Sequence, residues 1–339
     1  MFSSYDIARF SDLVYSEVVS KNQFESLNLK NVQILAGDKN LIFYKQSKFI
    51  LSSGDVIFTH TGNLFNLFFL IRDLHEDFQL TLITHQSDTS INKRLYLKKP
   101  KCIKNWYALN IDYEANDLFS LPLGIANEYS YKKNITSKNI DKKKYDYYKQ
   151  NINVYINFSE STNEKERIWI KDYFKDFAWV DIENKTLTIN EYAQKITQSG
   201  FVICPWGNGF DSHRIWETLF LGSIPIIKKH PTFSNLKGLP IYFVDDFREV
   251  NEDSLKKFMN SIIDRNLNLE KLNLSFWEHF VKKDQSRMSL STLVNEPTYV
   301  AKYYRLKSKI KSFVSSKLKI LKFYLLKIRK LNKNIRKLI

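Results

Sequence analysis

The run from Phe201 to Lys228, FVICPWGNGFDSHRIWETLFLGSIPIIK, gathers the residue types that hold an anion. Three of the chain's nine glycines, Gly207, Gly209 and Gly222, fall in it. Phe201–Cys204 reads as a buried strand that Pro205 ends, because proline has no N–H for the ladder. Gly207, Asn208 and Gly209 can then take positive φ values and admit a ligand close to the backbone. Asp211 or Ser212 caps a helix running to Leu221, and Gly222 stops it. A strand, a glycine turn and a helix start favour phosphate, since unpaired N–H groups and the helix dipole both attract negative charge. On that helix His213 and Glu217 share a face, as do Arg214 and Glu217. A cation near the phosphates, with the Glu217 carboxylate one turn deeper to accept from ribose hydroxyls, suits a nucleotide diphosphate-sugar, with Arg214, His213 and the Gly207–Gly209 backbone holding the diphosphate. The plainer reading is a crossover whose Arg214–Glu217 pair is a surface ion pair of little worth.

Two polar clusters follow expected strands in the first half, at the carboxyl ends where α/β sheets bind ligands. One is Thr59-His60-Thr61-Gly62-Asn63; the other is His85-Gln86-Ser87-Asp88. If the sugar of such a donor is transferred with inversion, a base must lie within hydrogen-bond reach of the acceptor hydroxyl. His60, His85 and Asp88 are the candidates, with Asp88 ahead because His85 would orient it. A His or Asp at a strand end is also a common cap or turn former, and a retaining transfer needs no such base.

The segment from Pro205 to Pro225 resembles the C-terminal motif of the exostosin-like glycosyltransferases, often close to PxGNGxDTHRxWExLxxGxIPI. Pro205, Gly207, Asn208, Gly209, Asp211, His213, Arg214, Trp216, Glu217, Gly222, Ile224 and Pro225 carry the likeness. It departs at Trp206, where the family usually has arginine, and at Ser212, where threonine is common. The missing arginine removes an expected phosphate contact that Arg214 or Lys228 would have to supply. A looser likeness runs from Leu121–Asn127, LPLGIAN, to Gly238–Phe247. The resemblance implies a GT-B fold with the donor on the C-terminal domain, and sugar transfer without a metal-binding Asp-X-Asp motif or any cofactor beyond the nucleotide-sugar. Asp245-Asp246 reads as a strand end.

Elements that would position these groups alternate along the chain. Val32–Leu35, Asp55–Thr59, Gln79–Thr84 and Asn105–Asn110 are expected strands, and Asn63–His75 carries helical spacing. After a polar, basic stretch at Tyr129–Gln150 the alternation restarts. Strands are expected at Asn153–Phe158, Ala178–Ile182, Phe201–Pro205, Ile224–Lys228 and Ile241–Val244. Helices are expected at Glu164–Phe174, Ile189–Gln198, Asp211–Leu221, Ser254–Ile263 and Leu274–Lys282. The fold class is α/β and GT-B-like, two Rossmann-like domains facing across a cleft. Residues 1–148 form the acceptor-side domain, 149–300 the nucleotide-sugar domain, and 301–339 a basic amphipathic helical tail.

Charge places the partners. The chain carries a formal +16, and fourteen of its cations lie in residues 301–339, which hold no acid. The first 300 residues are thus nearly neutral, so the basic character is a property of the tail and gives no nucleic-acid groove. From Tyr303 to Leu338 apolar residues such as Ile310, Val314, Leu321, Ile328 and Ile335 recur near a 3.5 spacing. A coiled coil of such chains would gather cations without acids to offset them; an anionic membrane surface suits both faces at once. The N-terminus lacks the basic start and apolar run of a secretory signal, and no uncharged stretch is long enough to span a bilayer. Two cysteines, far apart, suit a reducing compartment. Together these place the expected enzyme in the cytoplasm, peripheral at the inner membrane face. Its acceptor would be a glycan or lipid-linked oligosaccharide of surface polysaccharide assembly. The rival is an α/β protein that binds a nucleotide or phosphorylated metabolite without transferring sugar.

Overall fold

The computed structural model describes residues 1–127, 135, 147, 152–263, 267–286 and 289–297. Met1–Leu293 forms one compact unit and Val294–Ile339 a second. The tail helix expected over 303–338 lies outside the described residues, as does most of the 129–150 boundary.

The first half runs α1 (Ser4–Arg9), β1 (Leu13–Ser20), α2 (Lys21–Ser26), β2 (Val32–Gly37), β3 (Leu41–Gln46), β4 (Lys48–Ser52), β5 (Val56–His60), α3 (Leu64–Ile71), β6 (Leu80–His85), β7 (Ile91–Asn92), α4 (Lys93–Tyr96), β8 (Ile103–Ala108), β9 (Ile111–Asp112) and β10 (Leu118–Ser120). Its seven-stranded sheet has the order β10-β8-β6-β5-β1-β3-β2. The first five of these are parallel, and β3 and β2 extend the β1 edge as an antiparallel pair. Every residue of β6 is buried, as a strand covered on both faces requires. From β1 the chain goes first to the antiparallel pair on one side and then returns to β5 on the other, after which the parallel strands follow one another in a single direction.

The second half runs β11 (Val154–Ile156), α5 (Glu164–Phe174), β12 (Val180–Ile182), α6 (Ile189–Gln198), β13 (Phe201–Ile203), α7 (His213–Phe220), β14 (Ile224–Lys228), β15 (Tyr242–Val244), α8 (Glu252–Ile263) and α9 (Leu274–Lys282). Its five parallel strands are ordered β12-β11-β13-β14-β15. From β11 the chain moves outward to β12 and then returns to the other side of β11 for β13. That reversal makes a topological switch point between β11 and β13, the place where doubly wound sheets bind ligands at their carboxyl ends.

One core links the two sheets. Val56, Phe58, Ile83 and Tyr107 of the first are continuous with Val154, Tyr155, Val202, Ile203, Ile226 and Trp216 of the second. Helix α9 returns to the first half: the Tyr107 hydroxyl donates to the Phe280 carbonyl at 3.1 Å, and Trp277 packs edge-on against Phe2.

Candidate functional site

At the switch point the strand ends are held together by one side chain that the sequence reading passed over. Arg167 sits early in α5 and is 7% exposed. Its Nε donates to the Trp206 carbonyl and its Nη2 to the Pro205 carbonyl, both after β13. Its Nη1 donates to the Ser159 carbonyl after β11 and to the Thr162 hydroxyl. Four bonds from one planar fork bind the ends of β11 and β13 across the switch. In the sequence Glu164-Lys165-Glu166-Arg167 looks like a solvated helix face; nothing local marks Arg167 as the buried member.

Beside it, Lys228 at the end of β14 pairs with Glu166 at 3.2 Å and lies 5.5 Å from the Trp206 ring centroid. Lys228 therefore enters the site already neutralised. Trp206, Phe210 and His230 form an aromatic cluster, with Phe210 stacked on His230 at 3.7 Å and Trp206 edge-on to both.

The glycine turn is present, but for a different reason from the one expected. None of Gly207, Asn208 and Gly209 has a positive φ. The glycines are needed because side chains press on them. A β-carbon on Gly209 would lie 2.7 Å from Nδ2 of Asn110, and one on Gly207 would lie 3.1 Å from Nη2 of Arg167. Asn110, itself at φ 58°, accepts from the Asp211 N–H and donates to the Ser87 carbonyl.

Helix α7 begins after Ser212, whose side chain makes no capping bond. Asp211 is buried instead as a clasp to the first half. Its carboxylate accepts from the Leu123 N–H at 2.8 Å, the Ser212 N–H at 2.7 Å and the Trp216 indole at 3.1 Å. Desolvation pushes its pKa up to about 6, against the pull of those donors. His213 turns the same way, its Nδ1–H donating to the Gly124 carbonyl at 2.8 Å. Both residues thus secure the Leu121–Asn127 turn, where a β-carbon on Gly124 (φ 73°) would strike the Phe2 carbonyl. Gly222, at φ 75°, ends α7 as the sequence implied.

The other face of α7 lines a cleft of about 320 Å³, within the range of small-molecule sites. Asn157 and Ser159 contribute from the end of β11, Lys185 and Thr186 from the loop after β12, and Arg214 and Glu217 from α7. Tyr192 joins the last two. A Thr188–Glu191 capping box starts α6 and sets Tyr192 in its first turn. The Tyr192 hydroxyl accepts from Arg214 at 2.8 Å and donates to Glu217 Oε2 at 3.0 Å, while Glu217 Oε1 accepts from the Ile135 N–H. Arg214 and Glu217 are therefore bridged by a hydroxyl rather than paired on the surface. Desolvation holds that hydroxyl protonated well above the usual tyrosine range. A cation, a buried carboxylate and neutral donors around one cleft can bind an anion together with a polyhydroxylated group.

Residues 148–296 match the family model of the RXYLT1 C-terminal domain. This stretch is similar to an exostosin-family glycosyltransferase domain. No curated protein matches the chain. The matched stretch contains the whole of the second sheet, the Arg167 fork, the glycine turn and the Arg214–Tyr192–Glu217 relay.

His60, His85 and Asp88 lie outside it. His60 caps the turn after β5, its Nδ1 accepting from the Gly62 N–H at 3.0 Å, and burial lowers its pKa to about 4. His85 is fully buried and donates from Nε2 to the Pro122 carbonyl at 2.9 Å; burial lowers it to about 4 as well. It therefore orients the Leu121–Asn127 turn and not Asp88, contrary to the expectation from their spacing. Asp88 is exposed. Asp245 and Asp246 follow β15 as read from sequence, Asp245 pairing with Lys229 and Asp246 capping a turn.

Proposed function

We propose that this chain is a glycosyltransferase that takes a sugar from a nucleotide-sugar donor and passes it to a glycan or lipid-linked acceptor of surface polysaccharide assembly. The observation that carries the reading is the Arg214–Tyr192–Glu217 relay lining a cleft beside the switch point, within the stretch similar to an exostosin-family domain. In this reading Arg214 meets the diphosphate and Glu217 the ribose hydroxyls, with the Gly207–Gly209 backbone near the phosphates. Cationic side chains stabilise the leaving diphosphate without a protein-held metal. The arrangement is GT-B-like, two Rossmann-like halves with α9 returning to the first. If transfer inverts, Asp88 serves as base, since the His60 Nδ1 lone pair is taken by the Gly62 N–H and His85 is buried away from any acceptor. The basic segment 303–338 would hold the enzyme to an anionic membrane at the cytoplasmic face.

The test is a thermal-shift screen of UDP-, GDP-, CMP- and ADP-sugars, followed by turnover of the donor that responds. One class should stabilise the protein, and Glu217→Ala should lower donor hydrolysis and transfer about a hundredfold or more while the fold persists. A protein stabilised by none of them, or an undiminished Glu217→Ala enzyme, overturns the proposal.

A further inference from the structure

Several cations around the second sheet have a carboxylate. Lys228 has Glu166, Lys195 has Asp181, Lys229 has Asp245, and Arg248 has Asp246. Arg167 does not. Its four bonds run to three main-chain carbonyls and one hydroxyl, all uncharged, although it is among the most buried charged side chains of the molecule. The neighbouring Glu166 gives its carboxylate to Lys228. Arg214, the next cation along the strand ends, bonds to the Tyr192 hydroxyl. A buried charge answered only by dipoles is costly. Here the cost shows as a guanidinium depressed to about 10, first by desolvation and next by the Arg214 charge.

Two further features point the same way. The guanidinium has five N–H groups and spends four, leaving one on Nη2. The place a β-carbon on Gly207 would fill lies 3.1 Å from that nitrogen, which is a hydrogen-bond distance for an oxygen.

We propose that Arg167 is the buried half of an anion site at the switch point, and that an oxygen of the donor's diphosphate takes the place left open by Gly207. The diphosphate as occupant rests on the sugar-nucleotide reading above; the anion site rests on the geometry alone. Arg167 acts chiefly as a fixed positive field behind the strand ends, with one N–H to give, and the Arg214 charge on α7 is close enough to be felt there.

Inorganic pyrophosphate separates the site from the sugar and the base. Its binding to the full chain is measured by calorimetry at low salt for the wild type, Arg167→Met, Arg167→Lys and Gly207→Ala. Arg167→Met should weaken pyrophosphate about tenfold or more, and Arg167→Lys, which keeps the charge, by less than about threefold. Should Arg167→Met fail to fold, Gly207→Ala decides. It leaves the charge in place, fills the oxygen position, and should also lose about tenfold. Wild-type protein that does not bind pyrophosphate, or variants that bind it as the wild type does, overturn the site. Pyrophosphate bound through Arg167 without response to any nucleotide-sugar upholds the site and removes the transferase reading. Nucleotide-sugar binding with pyrophosphate untouched in both variants does the reverse.

Discussion

At the scale of single residues, burial has changed the work of most of the polar groups singled out in the sequence. His85 and Asp211 are the clearest pair. His85 has a folded pKa of about 4, below its ordinary value, so it binds fewer protons folded than unfolded between about pH 4 and 6.5. Its contribution to stability is complete above pH 6.5 and is lost as pH falls toward 4, an effect on the order of 3 kcal/mol. Asp211 has its pKa raised to about 6, so its contribution is complete below the ordinary carboxylate range and is lost as pH rises to 6. The two oppose one another over much of the same window. Replacing His85 by Gln, which keeps a donor for the Pro122 carbonyl, separates them. Denaturant unfolding should show the wild type gaining about 3 kcal/mol on His85→Gln between pH 4 and 6.5. A constant difference across that range would mean that the ring is not the titrating group.

At the scale of elements, the loop joining β13 to α7 is shaped by what the first half presses into it. Asn110, at the end of β8, reaches the backbone of that loop, and Gly209 leaves it room. Gly209→Ala would put a β-carbon 2.7 Å from an amide whose two ends are both hydrogen-bonded, so the side chain has nowhere to move. The expected cost is about 1–3 kcal/mol in thermal or chemical unfolding. In an Asn110→Gly background, which suits the positive φ, the alanine should cost much less. Additive losses in that double-mutant cycle would place the strain elsewhere. None of the turn's residues uses the positive φ open to glycine, and side chains press on both glycines, so they are there for space.

For the molecule as a whole, the two sheets share one core and should melt together. Trp277 of α9 is fully buried, donates from its indole to the Lys271 carbonyl at 2.8 Å, and packs against Phe2 and Phe280. Trp277→Ala should cost about 3–5 kcal/mol and lower a single calorimetric transition for residues 1–293. Two separated transitions would show that the halves fold independently despite the continuous core. At this scale, too, the first sheet departs from a doubly wound order. One side of its β1 carries the antiparallel pair β3 and β2, whereas the second sheet is parallel on both sides of its switch point.

Much of the second half was readable in the chain itself. The bounds expected for α5, α6, β14 and α9 are those observed, because amphipathic periodicity and short apolar runs are local properties of helix and strand faces. The strand, turn and helix from Phe201 to Gly222 were legible for the same reason. Strands β1 and β3 were not, since buried Glu17 and Lys45 interrupt the alternation that marks a strand. Glu17 Oε1 accepts there from Arg9 and the Tyr44 hydroxyl. Only the tertiary structure decided which polar groups meet. The bond that ties Arg167 to Trp206 spans 39 residues and that between Asn110 and Asp211 spans 101. Strand order sets those encounters, and strand order is fixed by packing between distant segments, which no local pattern of residue types encodes.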